Sequence, residues 1–297
     1  MTTDDFQRNR DNFCYRHPDR QSFVLCQRCL RTICPECQIP AAVGVICPEC
    51  LRDQQKAQSP AQRKAERRWS RPRAVSASSG QPVVTYAIIG VTAFAYLLAL
   101  IPGGFGKAVE QALLYWAPYL YPGLTGHFEP WRLLTAALVH SSIWHVGLNM
   151  LALWMIGRSL EPLLGRWRFL TLYVLSALGG SVAVTLLSFG TPVVGASGAI
   201  FGLFGALIVI GRHIGANIAG IAVVLGINLL IGFLPGANIS WQAHVGGLLV
   251  GLLVAFIFTR TKAVRQRGLQ VGLLVAVGAG LVALLFVPVL FPALVIG

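Results

Sequence analysis

The stretch GASGAIFGLFGALIVIG, residues 195–211, has a polar beginning and a long apolar remainder. Its glycines Gly198, Gly202 and Gly205 recur every three or four residues, so they fall on one face of a predicted helix. Small residues on one helix face allow a neighbouring membrane helix to approach closely. We therefore predict a short membrane span that begins at Ser197 and packs against another helix.

A second glycine-rich stretch, AHVGGLLVG at residues 243–251, carries a histidine near its beginning. We expect His244 to lie about one turn inside the outer end of its span, at a depth similar to that of Ser197. A serine and a histidine at one depth are able to form a nucleophile and base pair. The free N–H groups of a helix N-terminus also suit a developing oxyanion. Packing of the glycines without any chemistry is the competing interpretation.

A third polar group falls in the outer half of the second predicted span. It consists of His140, Ser141, Ser142, His145 and Asn149. Polar groups inside the membrane are costly and therefore indicate function. His145 and Asn149 are four residues apart, so they share a helix face and are able to direct donors at one point. Hydrogen bonding between helices is the alternative explanation.

The missing acids exclude several reaction classes. No aspartate follows Asp53, which excludes a paired-aspartate intramembrane protease. No His-Glu-x-x-His motif occurs, which excludes that class of metalloprotease. Glu161 is predicted at the cytoplasmic end of its span, too far away to orient His244. A hydrolase would therefore use a Ser/His dyad instead of a triad.

The composition is that of an integral membrane protein, with 55% hydrophobic and 12% charged residues in a chain of 297. Eight of the 11 acids precede residue 81, so a polar head is followed by an apolar body. Seven stretches in this body approach the ~20 residues that cross a bilayer. They are residues 83–102, 133–156, 168–188, 197–211, 217–234, 241–259 and 270–293.

The basic residues predict the orientation of these spans. Ten basic residues follow residue 80. Eight of them lie in the connections between spans on one side of the membrane, and only Lys107 and Arg132 lie on the other side. This asymmetry predicts a cytoplasmic N-terminus and an outer C-terminus. It also explains the net charge of +13, so no nucleic acid partner is expected. Residues 56–82 form a basic, flexible linker that acts as a topology signal or is attracted to anionic lipid.

The head, residues 1–55, contains four chelating pairs that would hold two structural Zn²⁺ ions. The pairs are Cys14/His17, Cys26/Cys29, Cys34/Cys37 and Cys47/Cys50. Disulfides are disfavoured on the reducing cytoplasmic side. The head resembles B-box and related cross-braced zinc fingers, in which the first and third pairs share one metal; sequential pairing stays open. A role in binding a protein partner is expected.

Five motifs occur together, in one order, within residues 83–260. They are Trp131-Arg132, His140-x4-His145-x3-Asn149, Gly157-x3-Glu161-x3-Gly165, Gly195-x-Ser197-Gly198 and Ala243-His244-x2-Gly247-x3-Gly251. The set resembles the rhomboid proteases, which are intramembrane serine proteases. The resemblance implies an all-α membrane protein with a rhomboid-like six-helix bundle at 83–260. A cytoplasmic loop and seventh transmembrane helix at 261–297, like the zinc-finger head, are additions to that core.

The resemblance also implies a role for each polar residue. Ser197 is expected to be the nucleophile and His244 the general base, with no cofactor for catalysis. The side chains of His145 and Asn149 and the backbone N–H of Ser197 are expected to form the oxyanion hole. Supporting roles are expected for His140, Phe201, Gly195 and Gly198.

The implied substrates are transmembrane segments of other proteins, cut near helix ends that are rich in small or helix-breaking residues. The expected location is the plasma membrane. Two other functions stay open: a catalytically silent adaptor that binds membrane proteins, and a transporter. The intact Ser197 and His244 favour the protease, and the scarcity of acids after residue 81 disfavours a cation-coupled transporter.

Overall fold

The computed structural model describes residues 9–41, 44–57, 81–213, 215, 217–232 and 239–295. The chain divides into two compact units, Met1–Ser76 and Ala77–Gly297. Most of the predicted linker, and the end of the predicted fifth span, lie outside the described residues.

The head is built around its cysteines. A two-stranded antiparallel sheet pairs β1, Ile39–Pro40, with β2, Val45–Ile46, and is followed by helix α1, Pro48–Ala57. The buried core consists of cysteines with only Ile33 and Ile46 added. Such a small apolar core contributes little folding free energy, so the fold requires another source of stability.

The longer secondary-structure elements in the described part of the second unit are all helices. Its longer helices are α2, Val83–Ala99; α3, Phe105–Leu113; α6, Ile143–Leu164; α7, Arg166–Leu187; α8, Ser197–His213; α9, Ala219–Ile231; α10, Trp241–Arg260; and α11, Arg267–Leu284. Its four-residue helices are α4, Pro122–Thr125; α5, Arg132–Thr135; α12, Val287–Leu290; and α13, Pro292–Val295.

Three segments of the described chain have the length and composition to cross a membrane. They are Arg166–Leu187, Trp241–Arg260 and Val264–Leu290. A bent pair, Arg132–Leu138 with Ile143–Leu164, makes a fourth if it counts as one span, and the apolar helices α2, α8 and α9 are shorter. Each of the seven predicted stretches therefore contains or overlaps an apolar helix.

The second predicted span, 133–156, is corrected by the structure. The chain bends by 98° between its first part and α6, which begins at Ile143. Ser142 is extended and its hydroxyl accepts the N–H of His145 at 3.1 Å, which caps α6. His140, Ser141 and Ser142 consequently lie before the helix and not in the outer half of a span. Their side chains favour a capped loop over a helix interior.

Three helices form the centre of the bundle. Side chains from α7, α8 and α10 build its core, and Leu172, Leu203 and Val254 are fully buried there. A Cβ atom added to Gly198 would lie 3.1 Å from the carbonyl oxygen of Ala243, and one on Gly247 would overlap the carbonyl oxygen of Gly198. The glycine face predicted from the sequence therefore brings the backbones of α8 and α10 into contact.

Glu161 attaches the first membrane helix. Its carboxylate accepts the backbone N–H groups of Val84 and Thr85 at 2.9 and 2.8 Å and the Thr85 hydroxyl at 2.7 Å. A Cβ atom on Gly157, one turn earlier, would overlap the Thr85 side chain. The Gly157-x3-Glu161 motif thus caps the N-terminus of α2.

The segment before the site is held by a buried arginine. Arg132 donates to the carbonyl oxygens of Gln111 and Leu114 and to the carboxylate of Glu129. Its guanidinium also lies 4.6 Å from the centre of the Tyr119 ring. These contacts hold Gln111, Leu114, Tyr119 and Glu129 around one cation, which explains the arginine of the Trp131-Arg132 motif.

Helix α11 is attached near both ends. Gln270 is fully buried; it accepts the Nε–H of Arg168 at 3.0 Å and donates to the Thr261 hydroxyl at 2.6 Å. At the other end, the Tyr121 hydroxyl donates to the carbonyl oxygen of Leu285 at 2.6 Å. The predicted seventh helix is therefore packed into the bundle.

Candidate active site

A cavity of about 440 Å³ lies between α6, α8, α9 and α10. Ser197 and His244 both line it, together with His145 and Asn149. Phe201, Gly195 and Gly198 also contribute to its wall. The structure thus brings seven of the eight residues predicted for the catalytic region to one cavity, and the eighth, His140, lies next to it.

Ser197 is the first residue of α8. Its backbone N–H is therefore among those that have no acceptor within the helix. The helix dipole adds partial positive charge at the same point. Both features favour a developing negative charge beside the Ser197 side chain.

His244 lies in the second turn of α10 and is buried. Its ring stacks on that of Phe201, with 4.0 Å between centroids and 12° between planes. Its Nδ1 is buried and has no hydrogen-bond partner among the described residues. Among the described contacts of the ring, the stacking on Phe201 is the one that orients it.

The contact between α8 and α10 brings Ser197 and His244 into one wall. Gly198 follows Ser197, Ala243 precedes His244, and a Cβ atom on Gly198 would lie 3.1 Å from the Ala243 carbonyl oxygen. Between the side chains of these two described residues, the structure contains no hydrogen bond.

His145 points into the cavity beside Ser197. The Ser141 hydroxyl and His145 Nδ1 are 3.1 Å apart, which leaves Nε2 directed toward Gly195. A Cβ atom on Gly195 would lie 2.7 Å from this Nε2, and Gly195 has φ +117°, a conformation rare for other residues. Glycine is therefore required at 195 for two reasons.

His140 and Asn149 support this arrangement in different ways. His140 is buried, its ring lies edge-on to that of His145 at 4.8 Å, and its Nε2 accepts the Ala196 N–H at 3.4 Å. It therefore holds the chain just before Ser197. Asn149 donates one amide hydrogen to the carbonyl oxygen of His145 at 2.8 Å, which leaves its second hydrogen for the cavity.

Two polar contributions to this region were not predicted from the sequence. The contact between Ser141 and His145 depends on the loop before α6, which was predicted as helix. Asn228 of α9 also lines the cavity. The signal that could have identified Asn228 is its position as the one amide of the apolar helix α9.

In the head, the eight predicted ligands form two clusters. They are Cys14, His17, Cys34 and Cys37, and Cys26, Cys29, Cys47 and Cys50. Within each cluster the candidate ligand atoms lie within 4.8 Å of one another. The first and third chelating pairs share one cluster, and the second and fourth pairs share the other. This is the cross-braced arrangement. Four soft donors at this spacing fit a tetrahedral Zn²⁺.

The thiols of the first cluster differ in acidity. Burial opposes ionisation of Cys14, but the backbone N–H groups of Cys34, Arg16 and His17 lower its pKa to about 6. Burial and the neighbouring Cys14 raise the pKa of Cys37 to about 11. Several thiolates so close together repel one another, so a divalent cation would stabilise their ionised forms.

The part of the chain that contains this site is similar to proteins of one family. Residues 127–261 match the family model described as Rhomboid domain. The chain is 36% identical over 212 residues to Rhomboid protease GluP of Bacillus subtilis (strain 168), a match that covers 68% of this chain and 40% of the relative. It is 29% identical over 188 residues to Rhomboid protease GlpG of Yersinia pestis (strain Pestoides F), covering 61% of this chain and 64% of the relative.

A third relative is Rhomboid protein 1, mitochondrial, of Saccharomyces cerevisiae (strain ATCC 204508 / S288c). It is 29% identical over 205 residues, which are 63% of this chain and 57% of the relative. The chain thus spans between 40% and 64% of the length of these three relatives. The matched residues 127–261 include all of α6, α7, α8 and α10 and every residue of the candidate catalytic region. Through this domain the chain is an integral membrane protein of the rhomboid family.

Proposed function

We propose that the protein is an intramembrane serine endopeptidase that cuts transmembrane segments of other membrane proteins. Ser197 would be the nucleophile and His244 the general base. The observation that carries the proposal is the stacked pair of His244 and Phe201 in the cavity lined by Ser197. The names of GluP and GlpG as rhomboid proteases support the same reaction class.

The reaction proceeds in two stages. Ser197 Oγ attacks the carbonyl carbon of the scissile peptide bond while His244 takes its proton. The tetrahedral intermediate breaks its C–N bond, and His244 returns the proton to the leaving amine. Water then attacks the acyl-enzyme while His244 takes its proton. The ester C–O bond breaks, His244 returns the proton to Ser197 Oγ, and the carboxylic acid leaves.

The oxyanion of each intermediate would be stabilised by three donors. They are the backbone N–H of Ser197, the His145 ring and the Asn149 amide. The contact with Ser141 leaves His145 Nε2 on the cavity side, and the spare amide hydrogen of Asn149 lies on the same helix face. One such donor lowers the barrier by about 3 kcal/mol.

We further propose that the head binds two Zn²⁺ ions through the two clusters. The ions would supply the stability that its small apolar core lacks. The head, residues 1–55, would serve to bind a protein partner and have no part in the chemistry. The linker at 56–82 would separate it from the protease core at 83–260, and residues 261–297 would form the loop and seventh helix.

We also propose a plasma membrane location, and the charge asymmetry supports the orientation predicted from the sequence. Arg158, Arg166, Arg168 and Arg267 lie at the ends of α6, α7 and α11 that face the proposed cytoplasmic side. The N-terminus would then be cytoplasmic and the C-terminus outside. Ser197, at the opposite end of the bundle, would lie near the outer surface.

Cleavage of a fluorogenic transmembrane peptide by the purified protein in detergent tests the proposal. The full chain and a chain without residues 1–55 should cut the peptide at similar rates. Ser197→Ala and His244→Ala should abolish cleavage while elution and thermal unfolding stay unchanged. Normal cleavage by both variants would refute the assignment.

A further inference from the structure

Helix α9 contains one polar side chain. Its sequence, AGIAVVLGINLLI, is apolar except for Asn228, three residues before its end. A polar amide on a membrane-exposed helix is costly unless it has a use. Asn228 is exposed on the protein surface, so packing against other helices does not explain it.

Asn228 is also the one residue of α9 that lines the candidate active-site cavity. Leu148 and Ala152 of α6 line the same cavity, as do Ser197 and His244. The amide is therefore exposed at the protein surface and also borders the cavity that contains the proposed dyad.

The hydrogen bonds of Asn228 leave an acceptor available. Its Nδ2 donates to the carbonyl oxygen of Val224, one turn earlier, at 2.8 Å. No described residue donates to its Oδ1. The Val224 contact fixes the amide plane, so Oδ1 is held as an oriented acceptor instead of a freely rotating one.

A transmembrane segment needs such a partner when it enters the site. Cleavage requires an extended stretch, which loses its helical hydrogen bonds as it leaves the lipid. Each backbone N–H then lacks an acceptor until it reaches water or a protein group. An oriented amide oxygen at the cavity edge supplies one acceptor at the point where the helix must unwind.

We infer that Asn228 is a positioning residue that accepts a backbone hydrogen bond from the unwound part of a transmembrane substrate. This inference rests on the proposed protease function and names a contact within that site. The partner is the peptide backbone, so the contact is independent of the substrate's side chains. It favours segments able to unwind over segments of the same length that stay helical.

The test compares two variants of the full chain. Asn228→Leu removes the amide, and Ile227→Asn combined with Asn228→Leu moves it by one position, about 100° around the helix, away from the cavity. The double variant keeps one asparagine among otherwise apolar residues of α9, so it controls for polarity and helix insertion. Three experiments are done: steady-state kinetics, giving kcat and KM, with a fluorogenic transmembrane peptide; labelling of Ser197 by a small fluorophosphonate; and peptide binding in a Ser197→Ala background.

We expect KM and the dissociation constant of the peptide to rise about threefold to tenfold in both variants, because each variant loses one hydrogen bond to the substrate. Changes in kcat should stay within about twofold, and fluorophosphonate labelling should match the wild type, because a small probe does not need an unwound backbone. Asn228→Gln, which retains the amide, should recover part of the binding.

Wild-type binding by Asn228→Leu would overturn the inference, as would recovery by the double variant. Loss of labelling in Asn228→Leu would also overturn it, because it would indicate a structural role. If the wild type neither cuts nor labels, the protease proposal fails, and the binding measurement in the Ser197→Ala background still decides the role of Asn228.

Discussion

The ring of His244 lies face to face with the ring of Phe201, 4.0 Å away and tilted by 12°. In a triad, a carboxylate accepts a hydrogen bond from the histidine and so orients its ring. The Nδ1 atom of His244 has no hydrogen-bond partner among the described residues. Stacking is thus the contact that defines the plane of the ring.

Replacing Phe201 by leucine should lower kcat about threefold to tenfold with little change in KM. The substitution removes a stacked pair that contributes about 1 kcal/mol and leaves the imidazole free to tilt. Steady-state kinetics on a transmembrane peptide measure the effect. Phe258→Leu, the same change near the other end of α10, is the control and should leave kcat unchanged; an equal loss in both would contradict the role of stacking.

Gly195→Ala should reduce kcat about a hundredfold. The added methyl would lie 2.7 Å from His145 Nε2. Alanine would also have to adopt the φ of +117° at this position, which is unfavourable for a residue with a Cβ atom. The matched control is Gly190→Ala in the same loop, where a Cβ atom meets nothing within 4 Å. Activity is measured per folded protein, and an active Gly195→Ala enzyme would remove His145 from the oxyanion hole.

Glu161→Gln should destabilise the bundle without altering the chemistry. The carboxylate is buried and accepts three hydrogen bonds from Val84 and Thr85, and glutamine offers only one acceptor oxygen. We expect a loss of about 2 kcal/mol in the free energy of unfolding in detergent. Glu110→Gln in α3 is the control. Unchanged stability of Glu161→Gln would show that α2 is held by other contacts.

Zinc content measured in paired variants distinguishes the two ligand groupings. Cross-bracing predicts that Cys14→Ser with Cys34→Ser removes one of about two zinc ions per chain, while Cys14→Ser with Cys26→Ser removes both. Sequential pairing predicts the reverse. Elemental analysis of the purified chain gives the answer, and a wild-type chain without zinc would contradict metal binding altogether.

Much of the site could be predicted because the informative residues are close in sequence or chemically unusual. Gly198, Gly202 and Gly205 are spaced at helical intervals, and two residues separate the members of each of the four chelating pairs. Local spacing of this kind fixes which side chains share a face. The cavity lined by Ser197 and His244 accordingly follows from two short motifs.

The remaining features depend on contacts between distant segments. Glu161 binds the N-terminus of α2 across more than seventy residues, and Arg168 meets Gln270 across more than one hundred. Hydropathy predicted a continuous span through His140 because the residues on both sides are apolar. The helix begins only at Ile143 because the Ser142 side chain caps its N-terminus. A single capping residue does not change a hydropathy average, so this average did not predict the break.

Covalent labelling of Ser197 by a fluorophosphonate, located by mass spectrometry of the digested protein, tests the proposed dyad most directly. The account predicts modification at Ser197 in the full chain, and none in Ser197→Ala. In His244→Ala the labelling rate should fall at least about a hundredfold, because the base that activates the hydroxyl is absent. Labelling of Ser197 at the wild-type rate in His244→Ala would contradict the account.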